Sequence, residues 1–433
     1  MSNRGWSAAD DVAGSPAPTV HPLLGDAFAA LDRESVTWCL LRGEAELNRV
    51  NEEVDLLVEE RHVPRLIRVL AEQGFMRLAG WGRGSHRAFV AYSPEHDAWT
   101  KLDIVSRLDF GPYAEMESGA AAACLSRRTA VGSVWMLAAD DRFWALLLHC
   151  ILDRGVVPER HADALRRLAR GPVEGGALAS WFAANAPGGW DPARVVREAA
   201  DGRWASLAAM GQRMRLTAYM RNPRAAGRRL VRTTLRRMTK LRIAALEPGI
   251  SIALLGPDGV GKSTMAAELG RTFYLPVHSV YMGLYGAGPS GRTPRGLPGR
   301  LARQWVGYAR AAYHRRRGRL VVFDRYGYDA LLRRPPRATI RAQLRRWLLG
   351  RAVPHPDVAV LLDAPPDVLI SRKQEHDHAS LRSQRQAYLA LAQRLQARVV
   401  RTDQPADAVR REITAVVWRA LLDRRRRRAA RRP

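Results

Sequence analysis

Short apolar runs alternate with longer amphipathic stretches along most of the chain, which is the pattern of an α/β protein. In the first half the predicted strands are 36–41, 54–58, 88–92 and 99–105, and the predicted helix is 63–73. In the second half the predicted strands are 250–255, 320–323, 357–362 and 398–402, and the predicted helices begin near 262 and at 405. Continuous apolar runs of this kind are typical of parallel strands that are buried on both faces.

Changes in composition divide the chain further. The first residues are polar and rich in Pro, Ala and Gly, which predicts disorder. Helical periodicity runs from 138 to about 203, and no acidic residue lies between Asp201 and Glu247. The predicted segments are a disordered N-terminus (1–21), a mixed α/β domain (22–137), a helical extension (138–205), a basic helical linker (206–247), a parallel-sheet domain (248–423) and a basic tail (424–433).

The charge of the 433-residue chain is +28, and it is concentrated in the second half. Residues 1–200 hold 22 Lys and Arg against 27 Asp and Glu, whereas residues 201–433 hold 48 against 15. A solvated helix face explains much of this basicity, but an anionic membrane surface and a nucleic acid stay open as partners of the basic segments.

Cysteine usage and hydropathy indicate the compartment. Cys39, Cys124 and Cys150 lie far apart in apolar surroundings, which favours buried thiols over disulfides or a metal site. No secretory leader is visible, and the longest apolar stretch, 143–152, is too short to cross a bilayer. We expect a cytoplasmic protein, with peripheral attachment to a membrane left open.

The segment ISIALLGPDGVGKSTMAAELGR at 250–271 carries the most specific chemistry. Its spacing G-x-x-x-x-G-K-[ST] is that of a phosphate-binding loop, and it lies between a predicted strand and a predicted helix, as such a loop requires. Backbone N–H groups, the Lys262 ammonium, the Ser263 hydroxyl and the helix N-terminus would all act on the phosphates of ATP-Mg²⁺. The predicted ATP-binding residues are Gly256, Pro257, Asp258, Gly259, Val260, Gly261, Lys262, Ser263 and Thr264.

A second group of candidate residues follows the predicted strand 320–323. Asp324, Arg325 and Tyr326 come at its carboxyl end, where open α/β sheets bind ligands. Asp324 can hold Mg²⁺ or orient the acceptor, and Arg325 can grip an anionic acceptor. The predicted acceptor-binding residues are Asp258, Asp324, Arg325 and Tyr326.

The polar segment 372–385 looks like a mobile arm that brings guanidinium groups onto the transferred phosphoryl group. A solvated helix face is the alternative for each of these arginines. With them, the predicted catalytic residues are Lys262, Asp324, Arg325, Arg372, Arg382 and Arg385.

Taken together, GPDGVGKST, DRY, LDAPPDVLISRK and QRQAYLALA resemble the thymidylate kinase family over about residues 248–423. The resemblance implies a parallel-sheet P-loop kinase fold and ATP and Mg²⁺ as cofactors. It implies that Lys262 and Ser263 contact ATP-Mg²⁺, that Asp258 faces the acceptor, and that Arg372, Arg382 and Arg385 are lid arginines. The stretch 281–318 departs from the family, since it is long and very basic where part of an acceptor pocket is expected.

In the first half, Glu53 and Asp55 lie at i and i+2 of one predicted strand, and Asp103 lies in another. Strand alternation places Glu53 and Asp55 on one face, where they and Asp103 can converge on a divalent metal ion. With Gly43 after the first strand, this region resembles the nucleotidyltransferase fold, although Glu44 and Glu53 replace the usual Ser and Asp. A domain that kept this fold but lost the activity, with solvated acids, is the alternative.

We therefore expect an ATP-dependent phosphotransferase acting on a small, anionic acceptor, with Ser263 and Asp324 as metal ligands and Glu53, Asp55 and Asp103 as a second candidate metal site. One alternative is a nucleotide-binding switch or scaffold at an anionic membrane or polyanion surface. Another is a bifunctional kinase and nucleotidyltransferase. The identity of the acceptor and the existence of a homodimer stay open.

Overall fold

The computed structural model describes residues 18–49, 52–78, 85–112, 114–173, 175–221, 231, 248–283, 296–332, 339–372 and 378–430. The chain divides into two compact units, which comprise Met1–Ser93 with Ala98–Lys240 and Pro94–Asp97 with Leu241–Pro433. Each unit has a β-sheet and packed helices, so the α/β prediction is confirmed. Within the described ranges, no helix combines the length and the apolarity that crossing a membrane requires.

The first unit is built on a mixed sheet. In chain order its elements are α1 (Pro22–Arg33), β1 (Trp38–Arg42), β2 (Glu53–Val58), α2 (Val63–Glu72), β3 (Met76–Arg77), β4 (Arg87–Ser93), β5 (Ala98–Val105), β6 (Asp109–Phe110), β7 (Met116–Glu117), α3 (Ala121–Ser126), β8 (Thr129–Val131), β9 (Val134–Met136), α4 (Ala139–Leu148), α5 (Glu159–Leu168), α6 (Gly176–Asn185), α7 (Pro192–Ala200) and α8 (Trp204–Arg221). A π-helical turn, His149–Arg154, continues α4.

The seven-stranded sheet has the order β3-β4-β5-β2-β1-β9-β8. Alternating side chains of its central strands point to opposite faces, as the pleat requires. Leu40 and Leu56 pack with α1 and α2, whereas Cys39 and Leu57 pack with the helices that follow β9. Both faces are therefore covered. The three cysteines are buried free thiols, as predicted.

The predicted boundary between helical extension and linker falls inside a helix. α8 runs from Trp204 to Arg221, and its Leu207, Met210 and Met214 belong to the core of the first unit. A Cβ at Gly211 would lie 2.8 Å from the carbonyl oxygen of Ile151, so glycine permits this close packing. The start of the predicted linker is thus part of the core, and the rest of the linker, apart from Val231, lies outside the described residues, as does most of segment 1–21.

The second unit is built on a parallel sheet. Its elements are β10 (Ser251–Leu255), α9 (Lys262–Thr272), β11 (Val277–Tyr281), α10 (Gly296–Arg316), β12 (Leu320–Asp324), α11 (Asp329–Leu332), α12 (Ile340–Arg351), β13 (Val358–Asp363), α13 (Pro366–Arg372), α14 (His378–Leu395), β14 (Arg398–Arg401) and α15 (Ala406–Ala429). The order is β11-β12-β10-β13-β14, and all neighbours are parallel. β10 is central and fully buried, which explains its uninterrupted apolar sequence.

The predicted basic tail, 424–433, begins inside a helix. α15 continues through Ala429. Arg424 forms an ion pair of 2.5 Å with Asp357, and its side chain is only 18% exposed. The basic sequence of this segment suggested side chains in solvent, but Arg424 instead pairs with Asp357, the residue before β13, and this contact anchors the end of the helix. Residues 431–433 lie outside the described part.

Candidate functional site

The phosphate-binding motif lies where the sequence predicted it, between β10 and α9. Gly256, Gly259 and Gly261 all have positive φ angles, of 142°, 84° and 100°. A Cβ at Gly256 would also lie 2.6 Å from the carbonyl oxygen of Leu362, so no larger residue fits without displacing β13. The loop thus has the backbone that only glycine adopts readily, and such a backbone lets successive N–H groups converge on an anion.

Lys262 is the first residue of α9, and its side chain is 7% exposed. The ammonium donates hydrogen bonds of 2.8 Å to the carbonyl oxygens of Gly256 and Pro257. Burial lowers the pKa of Lys262, and the nearby charge of Arg325 lowers it further. The cation is therefore held inside the curve of the loop, where it would meet the β- and γ-phosphates of a nucleotide.

Ser263 and Asp324 are brought together from positions 61 residues apart. The Ser263 hydroxyl donates a hydrogen bond of 2.8 Å to Oδ2 of Asp324. Parallel pairing of β10 with β12 sets Asp324 beside Leu254, at the carboxyl edge from which the loop departs. A hydroxyl and a carboxylate are oxygen ligands of the kind that Mg²⁺ prefers, so this pair fits the predicted metal site.

Arg325 has the unusual φ angle of 67° for a non-glycine residue. Such a conformation costs about 1–3 kcal/mol and is most often found at functional sites. Its guanidinium forms an ion pair with Asp258 of the loop and lies 3.9 Å from Asp329. The structure therefore joins two of the predicted acceptor-binding residues, Asp258 and Arg325, at the mouth of the loop.

Tyr326 is placed differently from the prediction. Its side chain is 1% exposed and packs against Phe323 and Tyr328, and its hydroxyl donates a hydrogen bond to the carbonyl oxygen of Pro354. Burial raises the pKa of this phenol well above its usual range. Tyr326 is thus a core residue that supports the end of β12. It lies beyond the strand, which ends at Asp324, and the left-handed backbone of Arg325 separates the two residues.

The structure adds two residues that sequence reasoning missed. Asp329 begins α11, and Tyr388 of α14 donates a hydrogen bond of 3.2 Å to its Oδ1. Burial raises the pKa of Asp329, although Arg325 and Lys262 oppose this. Asp329 follows Arg325 by only four residues, but the segment between them is not helical, so no periodicity pointed to this pair. Tyr388 lies 59 residues further along the chain, and no local pattern identifies it.

Two of the three predicted lid arginines, Arg385 and Arg372, are held by partners within the protein. Arg385 forms two hydrogen bonds of 2.7 Å with the carboxylate of Asp363, a residue that sequence reasoning also missed. Arg372 donates to the carbonyl oxygen of Thr402 at 2.8 Å, and Arg382 is exposed. Their prediction as catalytic residues stays untested, and residues 373–377 of the arm lie outside the described part.

In the first unit, the three predicted acids do converge. Parallel pairing sets Asp55 beside Asp103, and ligand atoms of Glu53, Asp55 and Asp103 lie within 4.8 Å of one another. Gly43 has a φ angle of 98°, and a Cβ there would lie 3.1 Å from the carbonyl oxygen of Glu53. Glycine at position 43 thus permits the close approach of this turn to β2.

Each of these acids also has a basic partner at 2.7 Å. The three pairs are Arg42 with Asp55, Lys101 with Glu53, and His86 with Asp103. Burial opposes protonation of His86, but the hydrogen bond and charge of Asp103 raise the pKa of this imidazole. The other oxygen of Asp103, Oδ1, is buried and accepts no hydrogen bond from the described residues. The cluster therefore has suitable oxygen atoms for a metal ion, but its charge is already balanced by side chains.

Comparison with known proteins gives little further evidence. No family profile matches the chain, and no curated protein is similar to it. Among solved structures, thymidylate kinase from Candida albicans is similar, with 18% identity over 39% of this chain and 91% of that chain, and with a TM-score of 0.32. A score this low carries no argument about function, so the functional argument rests on the loop and its neighbours.

Proposed function

We propose that the second unit is an ATP-dependent, Mg²⁺-requiring P-loop phosphotransferase with a thymidylate-kinase-like fold, acting on a small anionic acceptor. One observation carries the proposal. The glycine-rich loop encloses a buried lysine, and the next residue, Ser263, is hydrogen-bonded to an aspartate at the end of a neighbouring strand. A P-loop enzyme needs these groups: a lysine for the phosphates of a nucleoside triphosphate, and a hydroxyl and a carboxylate for its metal ion.

On the donor side, the loop would hold the phosphates through backbone N–H groups and the N-terminus of α9. Lys262 would exchange its two carbonyl partners for phosphate oxygens, which carry a full negative charge and bind an ammonium more strongly. Mg²⁺, when bound, would neutralise charge on the β- and γ-phosphates. Ser263 and Asp324 would hold it, directly or through water.

On the acceptor side, Arg325 projects from the end of β12 beside the loop, with its side chain 32% exposed. Asp258 takes part of its hydrogen-bonding capacity, and the other N–H groups of the guanidinium remain to grip an anionic acceptor. In the transfer step, an acceptor oxygen bonds to the γ-phosphorus as the bond to the β,γ-bridging oxygen breaks, and ADP leaves. Asp258 and Asp329 would fix Arg325 so that it positions the acceptor in line.

A screen of small phosphorylated and hydroxylated metabolites with γ-labelled ATP tests the proposal. A transferase should label an acceptor much faster than it releases labelled phosphate to water, and the Ser263→Ala variant should lose this labelling. A nucleotide-binding switch would instead hydrolyse ATP slowly with every pool and respond to anionic lipid or nucleic acid. Slow hydrolysis without an acceptor, in a protein that binds ATP, would therefore favour the switch.

For the first unit we infer a nucleotidyltransferase-like fold that positions substrate and lacks a nucleotidyl transfer activity of its own. The support is the pairing of Glu53, Asp55 and Asp103 with Lys101, Arg42 and His86, because a metal ion would have to compete with three basic side chains for these oxygens. Incubation with labelled nucleoside triphosphates and Mn²⁺ tests this. Release of pyrophosphate that survives Lys262→Met but not Asp103→Asn would show a second activity.

A further inference from the structure

Two helices of the second unit expose apolar side chains along their outer faces. On α10 the exposed residues at helical spacing are Ala302, Trp305, Val306, Ala309 and Tyr313. On α12 the exposed residues Ile340, Leu344 and Trp347 recur at i, i+4 and i+7. The side chains of Val306 and Ile340 are 70% and 84% exposed. A surface helix of a globular protein normally turns such a stripe towards the core.

The inner faces of the two helices explain why these stripes point outward. Gln304 of α10 is 2% exposed and donates a hydrogen bond of 3.1 Å to the carbonyl oxygen of Leu349 in α12. Ala311 is also buried, and a Cβ at Gly307 would lie 2.5 Å from the sulfur of Met282. The packed side of α10 thus combines Gln304, Gly307 and Ala311 with the partly buried Leu297, Leu301 and Tyr308. Trp305, Val306 and Tyr313 are left on the other side.

Both helices lie on the same face of the sheet. The chain passes from β11 to the adjacent β12 and then, across β10, to β13, and both steps run in the same direction along the sheet. Right-handed crossovers then place α10 and α12 on one side of it. The connection from β10 to β11 runs in the opposite direction, so α9 lies on the other face, together with α15, which contacts it. The two stripes thus belong to one outer layer of the unit.

The charges carried by the two helices themselves have a single sign. The sequence has no Asp or Glu between Glu268 and Asp324, or between Asp329 and Asp357. Arginine is accordingly the only charged residue type within α10 and α12, and Arg310 and Arg345 are both exposed beside the stripes. Apolar stripes flanked by cations are the surface that binds at the interface of an anionic bilayer.

We propose that the α10–α12 face, defined by these two stripes and their arginines, docks the protein on membranes that contain anionic phospholipid. Apolar side chains enter the boundary between headgroups and acyl chains, and the arginines contact lipid phosphates. A nucleic acid explains the face less well. The aromatic side chains of the stripes suit base stacking, but the most exposed residues, Val306, Ile340 and Leu344, can neither stack on bases nor bind phosphate. A second copy of the chain would bring the same positive charge to the contact, which opposes association.

Sedimentation of the full-length protein with vesicles tests the proposal, using phosphatidylcholine alone or mixed with phosphatidylglycerol. We expect binding only to the mixed vesicles, falling as salt is added. The triple variant Val306→Ser, Leu344→Ser, Trp347→Ser should weaken binding by about tenfold or more, since each residue would bury apolar surface. The control variant Val156→Ser, at a residue of the first unit that is 56% exposed, should bind like the wild type.

A charge-reversal pair separates this face from general basicity. Arg310→Glu removes a cation beside the stripe, and Arg411→Glu makes the same change on α15, on the other face of the sheet. Arg310→Glu changes the charge at the leaflet by two units, so we expect it to weaken binding about thirtyfold, and Arg411→Glu to have a much smaller effect.

Four results would overturn the proposal. Equal binding to neutral and mixed vesicles would contradict the role of charge, and equal effects of the two charge reversals would contradict the assignment to this face. If the triple variant lost the binding of a single-stranded oligonucleotide but still bound vesicles, the face would be a nucleic-acid site. If the wild type were a dimer in analytical ultracentrifugation and bound no vesicles, and the triple variant were a monomer, the face would be a contact between copies of the chain.

Discussion

Lys262→Met offers the sharpest test of the phosphate-binding loop. Methionine fills nearly the same volume as lysine but removes the ammonium, and with it a charge-assisted contact worth about 1.5–3 kcal/mol. We therefore expect ATP-Mg²⁺ affinity to fall roughly tenfold to a hundredfold. The loss should not be complete, because the backbone N–H groups of the loop and the N-terminus of α9 are unchanged.

The stability of the variant distinguishes lost binding from lost folding. Burial lowers the pKa of Lys262, so the folded protein releases this proton at lower pH than the unfolded chain does. Wild-type stability should consequently gain from this group as pH rises from the lowered pKa towards the ordinary value of lysine, and Lys262→Met should lack this gain. At neutral pH Lys262→Met should be at least as stable as the wild type, because folding of the variant no longer has to remove a charged ammonium from water.

Isothermal calorimetry with ATP-Mg²⁺, together with thermal melting across this pH range, makes both measurements. Arg411→Met is a suitable control, because it removes an exposed cation from α15 and should leave ATP affinity unchanged. Equal ATP affinity of folded wild type and Lys262→Met would refute the role of the loop.

Three further predictions follow from the neighbouring groups. Arg325→Lys keeps the charge but loses the planar guanidinium, so steady-state kinetics should show a higher KM for the acceptor or a lower kcat at unchanged ATP affinity. Unchanged kinetics would show that Arg325 does not bind the acceptor. Burial raises the pKa of Asp329, so the wild-type protein should lose stability as pH rises from the ordinary aspartate pKa to the raised one. Thermal melts of Asp329→Asn should lack this pH dependence. An unchanged pH dependence would contradict a buried, titrating Asp329. If Mn²⁺ displaces the basic partners of the acidic cluster, a concentration ten times its Kd should stabilise the full chain by about 1.4 kcal/mol, and Asp103→Asn should abolish the rise in Tm. Identical melting of the wild type with and without Mn²⁺ would instead support acids balanced only by their side-chain partners.

The sequence by itself determined the features that depend on neighbouring residues. Glycines at fixed spacing, followed by Lys262, identify the phosphate-binding loop because each residue type has a separate and local task there. Strand alternation likewise predicted that Glu53 and Asp55 would share a face, and β2 places them so. The longer strands were mostly predictable, since buried strands are continuous apolar runs. β11 was missed because its sequence VHSVY is half polar and only Val280 is buried. The short strands β3, β6, β7, β8 and β9, of two or three residues each, were missed as well, because so short a run carries no period.

Tertiary structure decided which charged and polar groups meet. Asp329 and Tyr388 are 59 residues apart, and Asp363 and Arg385 are 22 apart, so no local period connects them. Tyr326 was assigned to the acceptor site by its position after Arg325, yet packing turned it into the core. The outward stripes of α10 and α12 show the same limit. Periodicity defines an apolar face of a helix, but only the packing of Gln304 and Ala311 against the rest of the unit determines that this face lies on the outside.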